Sequence, residues 1–188
     1  MEQRTIKMGR MEKREAGGEI YLDGYFARYN EPYEVCAGWV ETIAPGAFDR
    51  VLDEGGDVKA LWNHNRDIVL GSTAAGTLEL RRDAEGLPGS IRINQKDTDA
   101  MNAYARCERG DVSGCSFGFD CNFDEFVDSD GTYRTVIREV TALYEVSPCT
   151  FPAYESTTIQ ARDRLSAVMA KRRDDWKIKM RGLLKNGT

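Results

Sequence analysis

The chain has 188 residues, 41% of them hydrophobic and 30% charged, with a net charge of −5. That is the size and balance of one soluble globular domain with a real core. No apolar run approaches the roughly 20 residues of a membrane span, and the charged start "MEQRTIKMGRMEKREAGGE" has no apolar signal-peptide region, so the expected place of work is a cytoplasm, away from membranes.

In chain order, residues 1–17 read as a mobile arm. "EIYLDGYFARYN" (19–30) and "AGWVETIA" (37–44) read as strands. "PGAFDRVLDEGG" reads as a short helix, opened by Pro45, carrying Phe48, Val51 and Leu52 at helical spacing, and stopped by Gly55 and Gly56. "VKALWNH" (58–64) is a strand ending at the lone histidine, and "IVLGST" and "GTLELRRD" follow. "DAEG" (83–86) is the turn of a hairpin leading into "LPGSIRIN". "DTDAMNAYARCERG" (97–110) is a helix with Asp97 or Thr98 as its cap and Gly110 just past its end.

After that helix, "GDVSGCSFGFD" (110–120) enters a long segment with "FDCNFDEFV". "DSDGT" is a turn, and "YRTVIREVTALYEVS" is a long β-rich strand. Pro148 and Pro152 are read as marking a loop. From Asp163 a helix is expected with Leu165, Val168, Met169, Trp176, Met180 and Leu183 on one stripe. This tail has eight Lys or Arg against three Asp or Glu, whereas the rest of the chain has 18 against 28. A basic tail on an acidic body points to docking, with the body itself among the candidate surfaces. The expected fold is α+β, a mainly antiparallel β-barrel or sheet with helices around it. The expected divisions are an arm (1–17), a main domain (18–162) and a basic C-terminal helix (163–188).

Five cysteines, at 36, 107, 115, 121 and 149, form no CxxC pair, and there is one histidine. Reduced thiols are expected, with no disulfide framework, no zinc site and no cofactor. His64 stands where an apolar strand meets a polar loop in "LWNHNRD". An imidazole there has the pKa of a general base without further tuning. Ser113 and Ser116 are candidate nucleophiles, with Cys115 as a rival. A serine needs a base, and the base needs an orienting group. Strand alternation places Ser116 on one face with Gly114 and Gly118, opposite Cys115 and Phe117. The glycines either open space for a substrate backbone or allow close packing. Glu145, in "VTALYEVSP", is the foremost candidate orienter, because a carboxylate in an apolar strand needs a partner. Asp111, Asp120 and Glu139 are alternatives.

Taken in order, "GYFARYN", "ETIAPGAFDRVL", "LWNH", "DVSGCSFGF" and "EVSPCTFPAYEST" resemble the prohead (capsid maturation) proteases of tailed bacteriophages, distant relatives of the herpesvirus assemblin proteases. The resemblance covers residues 18 to 160. It implies a serine endopeptidase with a β-barrel core, in which His64 is the base and Ser116 the nucleophile. Glu145 best matches the third position, where the herpesvirus relatives carry a second histidine. It also implies the substrates: the scaffolding segment of the major capsid protein, and the protease itself, inside the assembling procapsid in the host cytoplasm. A homo-oligomer is expected, and nucleic acid is not an expected partner of the acidic body. "GCSFG" has the literal GxSxG pattern of α/β-hydrolases but lacks the strand–turn–helix context. The rival readings are a cysteine hydrolase using Cys115 or Cys149, and a non-catalytic capsid or scaffold component that kept the fold.

Overall fold

The computed structural model describes residues 2–6, 12–150 and 165–175. Within the stretch read as an arm, two strands form, β1 (Glu2–Ile6) and β2 (Glu12–Ala16). The apolar-rich "EIYLDGYFAR" is β3 (Glu19–Arg28), followed by β4 (Tyr33–Cys36) and β5 (Trp39–Ile43). Helix α1 (Asp49–Glu54) stops at Gly55, whose φ of 63° suits only a residue without a Cβ. Strands β6 (Lys59–Trp62), β7 (Asn65–Ser72), β8 (Leu78–Leu80) and β9 (Gly86–Ile93) come next. The β8–β9 hairpin turns where "DAEG" predicts: Asp83 Oδ1 accepts from the amides of Glu85 at 2.8 Å and Gly86 at 2.9 Å.

Helix α2 (Thr98–Arg109) is capped by Asp97, whose carboxylate accepts from Asp99 N at 2.9 Å and Ala100 N at 3.3 Å. Gly110, at φ 86°, closes it by donating to Arg106 O and Cys107 O. The two longest strands follow, β10 (Gly114–Val127) and β11 (Tyr133–Cys149), joined at "DSDGT". A last helix, α3, covers 165–175. Among the described residues no helix is long and apolar enough to cross a membrane.

Two sheets carry the fold. In the first, the order is β1-β10-β11-β5-β4, with β6 pairing β11 and β7 pairing β6. In the second, it is β2-β3-β9-β8. Pairing is antiparallel except where β11 meets β5 and β6. The expectation of an α+β, mainly antiparallel architecture holds at this level. The closed barrel does not: among the described residues no ladder returns on itself. The reason lies in β11. One of its edges is taken by β10, while the other is divided, with β5 on Tyr133–Ile137 and β6 on Glu145 and Val146. The sheet therefore forks instead of closing.

One core joins the sheets. Leu22, Phe26, Leu87 and Ile91 from the second sheet meet Phe117, Phe119, Val140 and Val146 from the first, all fully buried. Phe48, just before α1, packs edge-on against Phe117 with ring centroids 5.6 Å apart. A smaller cluster of Val35, Cys36, Trp39 and Tyr133 is covered by Leu165, Val168 and Met169 of α3. The remaining stripe residues of that predicted helix, Trp176, Met180 and Leu183, lie outside the described residues, as does Pro152. Pro148 differs from expectation, standing inside β11 opposite Cys115. Its carbonyl accepts from Asn63 N, so its ring nitrogen also faces away from β10 and no ladder bond to β10 is lost.

The α2 cap gives a direct check on this reading of the fold. Asp97→Ala removes two acceptor contacts at a helix start and lowers unfolding free energy by about 1 kcal/mol, measured by urea or thermal denaturation.

Candidate active site

The β6–β7 connection is a two-residue turn. Trp62 pairs with Asn65, and Asn63 and His64 between them both have positive φ, 51° and 60°. That is the geometry of a type I′ hairpin. Asn is a natural occupant of the first position. His64 in the second is unusual, because glycine is preferred there, and a non-glycine residue in this region costs of order 1 kcal/mol or more. The turn is tied to the end of β11. Asn63 N donates to Pro148 O at 3.1 Å, Asn63 Oδ1 accepts from Thr150 N at 2.8 Å, and Asn63 Nδ2 donates to Thr150 Oγ1 at 3.3 Å. The Asn-His pair thus divides its work: Asn63 makes and anchors the turn, and the turn presents His64.

His64 meets Glu145. Its Nδ1 lies 2.7 Å from Glu145 Oε1, with the side chains only 16% and 5% exposed. A carboxylate only accepts, so the neutral ring carries its proton on Nδ1 and its lone pair on Nε2. Nε2 is buried and has no hydrogen-bond partner among the described residues. A buried, idle base nitrogen is unusual in a folded protein and calls for a partner.

Glu145 is held from two further sides. Ser147 Oγ donates to Glu145 Oε2 at 2.6 Å and itself accepts from His64 N at 3.2 Å. Across the ladder, Glu145 stands opposite Gly118, and Ser147 opposite Ser116. A Cβ on Gly118 would come within 2.7 Å of Glu145 Oε1. Gly118 therefore does not leave room for a substrate, as one sequence reading has it. Its missing side chain is filled by the carboxylate. Gly114 likewise faces Cys149 O, 3.2 Å from where its Cβ would stand.

Ser116 is fully buried. It lies one cross-strand pair from Ser147, a Cβ separation of roughly 5 Å, and so beside the His64–Glu145 pair. Nδ1 of the ring is engaged by Glu145, and among the described residues Nε2 has no partner, Ser116 included.

The other candidates fall elsewhere. Ser113 is exposed and precedes β10. Asp111 pairs with Arg109 at 2.7 Å, Asp120 accepts from Tyr144 Oη at 2.6 Å, and Glu139 accepts from Asn122 Nδ2 at 2.9 Å. Burial pushes the Cys115 thiol well up, and the Cys149 thiol to about 12, where the nearby Glu145 charge adds to the shift. Neither thiol is a thiolate near neutral pH, so neither is an activated nucleophile. Among the described residues no three His, Cys, Asp or Glu side chains converge as a metal site would require.

Ser147 was not singled out in the sequence. The available signal was its spacing of two from Glu145, which puts both side chains on one face of β11.

Beside His64 and Glu145 opens a cavity of about 370 Å³, also lined by Lys59, Leu61, Arg66, Val69 and Tyr144. It is a concave surface at the imidazole, of the kind that holds part of a ligand.

A curated relative, the prohead protease of Enterobacteria phage HK97, is 27% identical over 147 residues, 77% of this chain. The chain spans 63% of that relative's length. A solved structure, the bacteriophage T4 capsid assembly protease, superposes with a TM-score of 0.51 at 11% identity, covering 81% of this chain and all of that one. The likeness to it is one of fold. The family model of caudovirus prohead serine proteases matches residues 7–172. With most of its length matched by that model, this chain belongs to the caudovirus prohead serine protease family.

Proposed function

We propose that the chain is a serine endopeptidase of capsid maturation, with Ser116 as nucleophile, His64 as general base and Glu145 as the group that orients His64. The observation that carries this reading is the buried 2.7 Å contact between His64 Nδ1 and Glu145 Oε1, which leaves the Nε2 lone pair unengaged beside the serine-bearing strand. The acid fixes the tautomer, and the tautomer leaves a base pointing at no other partner.

In the proposed reaction Ser116 Oγ attacks a peptide carbonyl while His64 Nε2 takes the hydroxyl proton. The imidazolium that results is stabilised by Glu145, which stays ionised. His64 then returns the proton to the leaving amine, and an acyl-enzyme remains on Ser116. Water attacks the ester, again giving its proton to His64, and releases the acid product. Ser147 acts indirectly: by donating to the second carboxylate oxygen it holds Glu145 in place.

Family membership supports a substrate found in the assembling procapsid: the scaffolding segment of the major capsid protein, and the chain itself. The full burial of Ser116 favours a second reading, a shell component that keeps the fold without catalysis. A cysteine mechanism is disfavoured by the raised thiols of Cys115 and Cys149.

Co-expression with the major capsid protein, followed by chain masses over time, separates these readings. Ser116→Ala lowers cleavage by about 10³-fold or more, while Cys115→Ala stays within about two-fold of the parent. Equal cleavage by the parent and Ser116→Ala removes Ser116 from the mechanism, and no cleavage by either supports the non-catalytic reading. Glu145→Gln lowers kcat by roughly 10²–10⁴-fold with the fold intact, because an amide can hold the ring in the wrong tautomer. Gly118→Ala displaces the Glu145 carboxylate and lowers kcat by roughly ten-fold, with KM little changed, since the loss is of positioning and not of substrate contact. Steady-state kinetics and circular dichroism check both.

A further inference from the structure

Strand β10 has two edges. One is paired with β11, and the other is taken by β1, the start of the chain. The pairing is antiparallel, with Glu2 opposite Phe119, Gln3 opposite Gly118, Arg4 opposite Phe117, Thr5 opposite Ser116 and Ile6 opposite Cys115. These five pairs cover the stretch that holds Ser116 and the glycine against which Glu145 rests. Without β1, this stretch would be an open sheet edge with unpaired amides and carbonyls. Such an edge is a template for any extended chain. Peptides are commonly bound in this way, with main-chain bonds giving affinity and neighbouring pockets reading side chains.

Three further observations bear on what β1 does there. Its sequence, "EQRTI", carries one apolar residue, Ile6, among four polar ones. Among the described residues its one strand partner is β10. And Ser116 beside it is fully buried, although a cavity opens at His64. A polar strand at a sheet edge belongs to the low-stability end of a fold, where local opening costs least.

We propose that the β10 edge from Cys115 to Phe119 is the docking ledge for an extended peptide substrate, and that β1 occupies it as the chain's own competitor, keeping the site latent until it is displaced. The proposal rests on the reading of Ser116 as nucleophile. A substrate would enter antiparallel to β10, and its backbone would pass Ser116 where Thr5 now passes. Latency then needs no separate inhibitor. A high local concentration of substrate, as when many copies of a scaffold are gathered in one shell, would be enough to compete β1 off.

The test uses the full-length chain. Arg4→Pro with Thr5→Pro removes two successive β1 amides, one of which faces β10, and so weakens the ladder whichever parity applies. The first readout is hydrogen exchange of the Cys115–Phe119 amides. The second is the rate at which a fluorophosphonate labels Ser116, located by mass spectrometry. A synthetic peptide of residues 1–8 is then added in trans. The expected result is faster exchange on β10 and labelling faster by roughly ten-fold, the gain if β1 leaves the ledge free about a tenth of the time. The peptide should reverse both changes. Unchanged exchange, or faster exchange with unchanged labelling and no protection by the peptide, overturns the proposal. If Ser116 is labelled in neither form, the nucleophile assignment fails on its own. Protection of the β10 amides by the peptide then still decides whether the ledge binds an extended chain.

Discussion

A carboxylate buried among strands is costly unless it is partnered, by several kcal/mol for an isolated charge. Glu145 is such a group, and much of the surrounding structure can be traced to how it is satisfied. One oxygen receives His64 Nδ1 and the other receives Ser147 Oγ. The space it fills exists because residue 118 has no side chain. The imidazole that meets it is delivered by a tight turn, and that turn lies over β11 because β6 runs parallel to β11 at Glu145 and Val146. The fork in the first sheet, which prevents barrel closure, therefore has a use: it brings a hairpin turn from the other side of the sheet to the end of the strand that holds the acid.

The same arrangement explains why Ser116 can sit close to a base without being engaged by it. His64 is positioned by Glu145, by Ser147 and by the anchoring of Asn63 to Pro148 and Thr150. On the proposed reading the base is prepared in advance, and only the serine side remains to be opened. If the proposed function holds, an enzyme made alongside its own substrate has reason to separate these two steps. The polar strand on the β10 edge is well placed to do so, and the Cys115 and Cys149 thiols, deep in the sheet, are not suited to any of this chemistry.

Much of this was legible in the sequence, for reasons that differ from place to place. Helix α2 was readable to within a residue because Asp97 and Gly110 mark its ends by local chemistry. The turns at Asp83–Gly86 and at Asp128–Thr132 were readable for the same reason. His64 and Ser116 stood out as a lone imidazole and a serine in a glycine-spaced strand, and Glu145 as an acid in an apolar run. Long-range pairing was not readable. Nothing local states that β11 pairs in parallel with β5 and β6, so a closed barrel was a reasonable expectation and the fork was not. The role of Gly118 was missed for a related reason, since only the β10–β11 register brings it against Glu145. The β6–β7 turn was hidden because Asn-His is not the Asn-Gly that usually announces it. The N-terminal strands were hidden because β1 and β2 are polar and owe their form to the edges they pair with.

The central claim is that Glu145 holds His64 in one tautomer, with Nε2 free to take a proton. The chain has a single histidine, so nitrogen NMR of the imidazole reports on this residue alone. The account predicts a neutral ring protonated at Nδ1, with a hydrogen-bonded Nδ1 proton that is lost or shifted in Glu145→Gln, and a bare Nε2. A ring protonated at Nε2, or one exchanging freely between both tautomers as imidazole does in water, would contradict it.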